Sequence, residues 1–413
     1  MDRTRKRTRV LLSCYACEPN QGSEPGVGWN WTKVMSKEND LVVVTRANNQ
    51  KVIEKNISQL EGQNVEFVYY DLPKWLLVLK KKRILKTSLY YAFWQLGIRR
   101  KMKRQLEQFD IVHHMTFNMF LCPGYWRPKK AKLILGPLGG GSCVPEGYLS
   151  LFGKKAWVQK IRKIIVNQWR WVPTLKKTFD RADVILCANE DTYRLLEGKY
   201  ADKLKLHLET GYDGSKIEQH KITSRRKSGF VQIGNIEARK GWRITLLAAH
   251  QLVSVRNFSD FKIEFIGSGP EAKEAHRLVI ELGLEDVITF HGRKSLAETQ
   301  EMLKSARALL FPSVRDTSGN VVLEAMSQGV PVVCIAHQGA KEMTDDSCSI
   351  RMEPSYVTKS VEYLADAILR FQSDDDLVQR MGESGMERVK SHFTWTSKQV
   401  YMQSLYDSLI DNK

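Results

Sequence analysis

The chain has 413 residues, 42% hydrophobic and 27% charged, which is ordinary for a globular protein and long enough for two domains of about 200 residues each. Its net charge of +18 is one-sided: residues 1–210 hold 38 Lys and Arg against 19 Asp and Glu, whereas 211–413 hold 26 against 27. No stretch approaches the roughly 18–20 apolar residues of a spanning helix, which excludes a polytopic membrane protein, and the charge asymmetry implies an anionic partner for the N-terminal half.

The N-terminus is basic, and its short apolar segment continues as a strand without the apolar core and cleavage site of a signal peptide. Residues 9–16 (RVLLSCYA) read as that strand. The loop 17–28 (CEPNQGSEPGVG) follows, and an amphipathic helix opens at Trp29. Strand, glycine-rich loop and helix make the start of a doubly wound domain. Residues 41–45 and 65–70 read as the second and third strands. Segment 74–104 then mixes Trp, Tyr and Leu with clusters of Lys and Arg, and 154–177 repeats the mixture. Such helices lie on an anionic bilayer, or cover a domain with their basic faces outward. Two of them in the half that carries the excess charge predict attachment to a membrane surface. No zinc-finger, helix-turn-helix or RNA-binding strand pattern accompanies the charge, so no nucleic-acid partner is expected.

Residues 110–117 (DIVHHMTF) read as a strand carrying His113 and His114. Alternation points the two to opposite faces, where one can act as a base or bond a substrate hydroxyl and the other is a buried, satisfied histidine. A second glycine loop, 136–142 (GPLGGGS), follows the next strand, and 182–188 is a further buried strand. The polar stretch 213–228 lacks apolar periodicity and reads as the interdomain linker. The expected domains are thus 1–212 and 229–392, with a last helix at 393–413 crossing back to the first. Seven cysteines, mostly inside apolar runs, read as buried thiols in a reducing compartment. The CxxC of Cys14 and Cys17 has no second pair to complete a zinc site.

The second half restarts the alternation. Strand 229–234 leads into the basic loop 235–241 (NIEARKG) and a helix from Trp242. Strand 261–266 is closed by Gly267-Ser-Gly-Pro270, and strand 287–291 by Gly292-Arg293-Lys294. Residues 308–336 then compress a whole strand–loop–helix–strand unit, ALLFPSVRDTSGNVVLEAMSQGVPVVCIA. Gly319 opens its helix, whose first amides lack intrahelical partners and so favour an anion. Asp316 in the loop and Glu324 on the helix flank that position. Two carboxylates around an anion site suit a nucleotide sugar: the amides of Gly319, Asn320 and Val321, beside Ser318, hold the diphosphate, Glu324 bonds the ribose diol and Asp316 the donor sugar. Arg239 and Lys240 bring cations to a strand end on the same side, where a departing diphosphate gains charge. Asn235 and Gly267 line the donor side, and Arg293 meets the base. In the other half, the loops around Gly22, Glu24, Gly26, Gly28, Gly139 and Gly140 bring backbone close to the acceptor or the diphosphate. The Asp374–Asp376 triplet follows Ser373 and precedes Leu377, so it reads as an acidic helix start rather than a metal site.

On GSEPGVGW (22–29), HHMTF (113–117), GPLGGG (136–141), GNIEARKG (234–241), IGSGPE (266–271), FHGR (290–293) and DTSGNVVLEAMSQGVPVV (316–333), the chain resembles the GT-B glycosyltransferases of family four, over nearly its whole length. The resemblance implies an α/β fold of two Rossmann-like domains facing across a cleft. It also implies sugar transfer with retention from a nucleoside diphosphate donor, UDP- or GDP-linked, with no cofactor and no bound metal. It gives Lys240 the leaving group, Asp316 the sugar and Glu324 the ribose. The chain departs from that pattern in three places: Asp316 stands where Glu is usual, Asn235 where Arg is frequent, and Met115 where a His ends the strand.

The expectation is a hexosyltransferase at the cytoplasmic face of the plasma membrane, acting on a lipid-linked glycan or other glycan acceptor in bacterial polysaccharide or envelope assembly. A nucleotide-sugar epimerase and a non-catalytic nucleotide-sugar or lipid-binding protein are the alternatives.

Overall fold

The structure, a computed structural model, describes residues 7–82, 84–117, 119–217 and 229–411. Its central strands are runs of Val, Ile and Leu buried on both faces, as parallel sheets require. β1 (Thr8–Cys14), β2 (Asn39–Arg46), β3 (Val65–Tyr70), β4 (Ile111–Thr116), β5 (Lys132–Leu138), β6 (Val184–Cys187) and β7 (Leu204–Leu206) form one parallel sheet in the order 3-2-1-4-5-6-7. β8 (Gly229–Ile233), β9 (Lys262–Ile266), β10 (Ile288–Phe290), β11 (Ala308–Phe311), β12 (Val332–Ile335) and β13 (Ser349–Met352) form a second, in the order 10-9-8-11-12-13. Each sheet reverses its strand order once, between β1 and β4 and between β8 and β11. In such sheets ligands bind beyond the carboxyl ends of the strands at that reversal.

The chain divides into two compact units, one of Met1–Gly141, Ile165–Gly211 and Trp395–Lys413, the other of Ser142–Ile164 and Tyr212–Thr394. The expected boundary near 212 therefore misses residues 142–164, which pack with the second unit. Val144, Tyr148 and Leu151 enter that unit's core. The Tyr148 hydroxyl pairs with Ser360 Oγ at 2.8 Å and accepts the Ser355 N–H at 3.1 Å. Backbones touch there too, since a Cβ on Gly147 would lie 1.9 Å from the Ser355 carbonyl oxygen. The last helix, Trp395–Asp411, joins the core of the first unit through Met402, Leu405 and Tyr406. Of the expected linker, 218–228 lie outside the described residues.

The first helix runs Ser23–Met35, six residues earlier than the sequence suggests. Gly26 and Gly28 are thus helical residues rather than loop glycines. Their role is close packing: a Cβ on Gly28 would lie 2.1 Å from the Ala16 carbonyl oxygen, and one on Gly26 2.0 Å from that of Gln21. Strand β13 and the short helix Gln338–Met343 were not anticipated. Asp374 caps a helix, its side chain accepting the Leu377 N–H at 2.8 Å.

Candidate functional site: the carboxyl ends of two sheets

In the second unit the site assembles at the β8/β11 reversal. The turn Ala238–Lys240 follows β8 and is clamped onto the segment after β11. The Arg239 carbonyl accepts the Val314 N–H at 2.9 Å and the Ser313 hydroxyl at 3.0 Å. Gly241 makes the approach possible: it sits at φ 71°, and a Cβ there would lie 1.9 Å from the Pro312 carbonyl oxygen. From below, Gln232 Nε2 donates to the Lys240 carbonyl at 3.0 Å, while its own oxygen accepts Thr245 Oγ1 at 2.6 Å. The turn is therefore fixed on both sides, and it aims two cations at one carboxylate. Lys240 Nζ donates to Asp316 Oδ2, and Arg239 Nη1 lies 3.9 Å from the same oxygen. Lys240 Nζ also sits 5.4 Å from the centre of the Phe311 ring.

Gly319 is the N-cap of the helix Asn320–Ser327, at φ 60°. A Cβ there would meet the Phe311 ring at 2.7 Å, so the amides of the first turn are presented from a backbone that only glycine fits. Asn320 Oδ1 is buried there with no hydrogen-bond partner among the described residues. One turn on, Glu324 Oε2 accepts Gln300 Nε2 at 3.1 Å, and burial raises the pKa of this carboxyl. Ser318, Val321 and Glu324 are half-buried. Asn235 is exposed in the loop after β8, and it lines a small hollow with Gly234, Lys240 and Phe311. Gly267 packs backbone to backbone on Gly234, its N–H donating to the Gly292 carbonyl at 2.7 Å, so these glycines close the strand ends. Arg293 is exposed just beyond β10.

Sequence reasoning missed the scaffold of the Asp316 loop. Gln338, buried and at φ 51°, accepts the Asp316 N–H in its side-chain oxygen at 2.7 Å. Its amide nitrogen reaches the Cys143 carbonyl at 3.3 Å. A Cβ on the neighbouring Gly339 would lie 2.5 Å from the Thr317 carbonyl oxygen, so this corner lies directly under the loop. Arg315 beside Asp316 was also passed over; its Nη1 donates to Gln159 Oε1 at 2.6 Å. Only the adjacency of Arg315 was visible in the sequence. Gln338 is 22 residues away and has no motif around it.

At the β1/β4 reversal of the first unit the two histidines are both in the core, at 0% exposure. His113 Nε2 donates to the Gly136 carbonyl at 2.8 Å, and Nδ1 accepts the Tyr406 hydroxyl at 2.7 Å. His114 pairs through Nε2 with the Tyr91 hydroxyl at 2.9 Å and through Nδ1 with Ser13 Oγ at 3.2 Å. Burial lowers their pKa values to about 4 and about 3, so both stay neutral. Alternation along the strand thus does not turn either into open space. Each face of β4 is covered, one by the last helix and the other by Thr87–Met102, which buries Tyr91 and Gln95. Met115 is buried as well.

The group that reaches the end of β4 is Glu24, from the first turn of the helix that begins at Ser23. Its carboxylate accepts the N–H of Phe117, a residue held at φ 60°, where bulky side chains are rare. Burial first, then the Glu209 charge, push the Glu24 pKa up to about 7, against the Phe117 N–H and Arg46. Gly22 is exposed at the N-cap, with open space around it. The second glycine loop passes close by: the Gly139 carbonyl accepts the Phe120 N–H at 2.8 Å, and Gly140 sits at φ 79°.

Residues 215–388, most of the second unit, match the family Glycosyl transferases group 1. The putative colanic acid biosynthesis glycosyltransferase WcaL of Salmonella typhimurium is 26% identical over 186 residues, 43% of this chain and 45% of that protein. The chain thus spans less than half the length of this relative and of the corresponding Escherichia coli protein, at 41%. A GDP-mannose-dependent phosphatidylinositol monomannoside mannosyltransferase of Corynebacterium glutamicum is 26% identical over 62% of this chain and 72% of its own length. Among solved structures, Anabaena HepE in complex with UDP matches 97% of the chain, with a TM-score of 0.63 at 14% identity and all of that protein covered. Sucrose-phosphate synthase of Thermosynechococcus elongatus matches 98%, with 0.64 at 18% and again full coverage. These similarities establish the α/β GT-B fold.

Proposed function

We propose that this chain, which matches the family Glycosyl transferases group 1 over residues 215–388, moves a sugar from a nucleoside diphosphate donor to a glycan or lipid-linked acceptor. The observation that carries this reading is the convergence of Lys240 and Arg239 on Asp316 at the β8/β11 reversal, beside the Phe311 ring on which the Gly319 helix start also packs. Without donor, Lys240 and Asp316 neutralise one another. With donor bound, Lys240 and Arg239 turn to the diphosphate, whose charge grows as the glycosidic bond breaks, and fixed cations there lower the barrier without a bound metal. Asp316 is freed for the sugar hydroxyls. Asn320, Val321 and Gly319 present amides to the phosphates, and Glu324 takes the ribose diol. Arg239, in the place where the family's Arg is replaced by Asn235, supplies the second cation. Transfer proceeds with retention of configuration, as the family resemblance implies.

The acceptor belongs to the first unit, at Glu24 and the glycine loops. We further assign the chain to an anionic membrane surface at the inner face of the plasma membrane, in polysaccharide or envelope assembly, the process named for WcaL. No helix among the described residues is long and apolar enough to cross a bilayer. The helix Ala156–Asn167 instead turns Trp157, Val158, Ile161, Ile164 and Ile165 outward and buries only Val166. Residues 147–179 contain no Asp or Glu, and Lys154, Lys155 and Lys160 flank that apolar face, while Lys163 pairs with Glu146 at 2.8 Å. The helix Thr87–Met102 has more of a core role, burying Tyr90, Tyr91, Trp94 and Ile98.

The donor assignment is tested by thermal-shift titration of UDP, GDP and their sugars, with Glu324→Gln beside the wild type. One nucleotide should raise the melting temperature of the wild type and shift the variant by less than half as much. Equal shifts would remove Glu324 from the site, and no shift with any nucleotide would overturn the donor reading.

A further inference from the structure

The carboxylate of Glu324 is held from behind by two amide side chains. Gln328 closes the helix Asn320–Ser327 four positions after Glu324, so the two side chains share one helix face. Gln300 meets both from the helix Leu296–Ser305. A capping box locks the start of that helix: Ser295 Oγ accepts the Glu298 N–H at 3.2 Å, and the Glu298 carboxylate accepts the Ser295 N–H at 2.9 Å. Gln300 Nε2 donates to Glu324 Oε2 at 3.1 Å, and Gln328 Nε2 donates to Gln300 Oε1. All three residues are half-buried and belong to the second unit.

The chemistry of these groups gives the chain a direction. An ionised carboxylate only accepts hydrogen bonds, so Gln300 turns its N–H to Glu324 and its oxygen away. That oxygen in turn needs a donor, and the Gln328 amide supplies it. The chain ends on Gln328 Oε1, which is buried with no hydrogen-bond partner among the described residues. A buried acceptor left unpaired lowers stability, so packing alone gives no reason for this arrangement. Its effect is felt at Glu324, where burial raises the pKa of the carboxyl and the Gln300 N–H opposes the rise. The same bond fixes one carboxylate oxygen and sets the other for a vicinal diol. We propose that Gln328 and Gln300 are a relay of positioning residues that turns Glu324 toward the ribose diol of the donor and sets a preference for ribonucleotides. This rests on the donor reading given above and extends it to two amides the sequence did not indicate.

The test is isothermal titration of UDP, GDP and their 2′-deoxy counterparts into wild type, Gln300→Met, Gln328→Met, the double variant and Gln300→Glu. The last keeps the shape of the side chain and replaces the donor N–H by an acceptor. Wild type should bind the ribonucleotide about tenfold more tightly than its deoxy counterpart, as a hydrogen bond to a charged group allows. Gln300→Met and Gln300→Glu should bring that ratio close to one. Gln328→Met should lower it part of the way, and the double variant no further than Gln300→Met, because members of one relay do not act additively. A wild-type ratio in both Gln300 variants would overturn the proposal, with equal weakening of the two ligands marking Gln300 as merely structural. A wild-type ratio in Gln328→Met would overturn the relay. Equal binding of ribo- and deoxynucleotide by wild type would take the ribose away from Glu324, and this proposal with it, while the nucleotide site stands. Binding of no nucleotide at all would overturn the donor reading and the proposal together.

Discussion

Replacing Glu24 by Gln isolates the free energy tied to one buried carboxyl. The folded protein raises its pKa from 4.5 to about 7, chiefly by burial and then by the Glu209 charge, while the Phe117 N–H and Arg46 pull it down. A carboxyl held above its unfolded pKa lends stability that is complete below about pH 4.5 and is lost as pH rises through about 7. The two values are about 2.5 apart, which at about 1.4 kcal/mol per pH unit sets an upper limit of about 3.5 kcal/mol. Gln keeps the oxygen that accepts the Phe117 N–H and does not titrate. Every other ionisable group is common to both proteins, so the difference between them isolates position 24. Glu24→Gln should match or fall slightly below wild type at pH 5 and exceed it progressively to pH 8.5, by up to about 3.5 kcal/mol or several degrees of melting temperature. Urea unfolding and calorimetric melting at half-unit pH steps give the curve. A wild-type-to-variant difference that stays constant from pH 5 to 8.5 would refute the reasoning, since Glu24 would then titrate as it does in the unfolded chain.

Trp157→Glu combined with Ile164→Glu should abolish cosedimentation with anionic vesicles, because each buried large side chain contributes about 1.5–3 kcal/mol of partitioning. Wild type that binds anionic and neutral vesicles equally little, at low and at high salt, would refute the membrane assignment. Gly319→Ala places a methyl against the Phe311 ring at a φ of +60°. It should cost about 1–2 kcal/mol of stability and weaken nucleotide binding at least tenfold. Calorimetry and titration of the same sample check both, and unchanged binding would show that the first-turn amides do not meet the phosphates.

Both sheets were legible because most of their strands are short apolar runs, and β8, β9 and β10 are closed by Gly234, Gly267 and Gly292, a pattern that survives without knowledge of neighbours. The unit from β11 to β12 was clearest, since loop, glycine N-cap and carboxylates lie within 29 residues. What could not be read depends on contacts distant in sequence. Tyr148 and Leu151 look like any apolar residues after a glycine loop, and only the hydrogen bonds of Tyr148 to Ser355 and Ser360 and the place of both in that core assign them to the second unit. His113 and His114 looked functional because histidine in a strand is conspicuous. Their partners Tyr406 and Tyr91 lie 293 and 23 residues away and account for both rings. Gly26 and Gly28 read as a loop because glycine disfavours helices, yet the missing side chains let the helix press on residues 16 and 21. β13 has Arg351 in a four-residue edge strand, too short and too polar for an alternation signal.

The central claim is that Lys240 stabilises a departing nucleoside diphosphate. Its most direct test is the rate of label transfer from a radioactive nucleotide sugar, chosen by the thermal-shift screen, to lipid-extractable or polymeric product in membranes of the producing organism. Wild type should transfer the label only when acceptor membranes are present. Lys240→Ala should fall by at least a hundredfold while its donor affinity drops far less, since the cation acts mainly on charge that develops in the transition state. Wild-type transfer rates in Lys240→Ala, or conversion of the donor sugar by wild type with no acceptor present, would contradict the account.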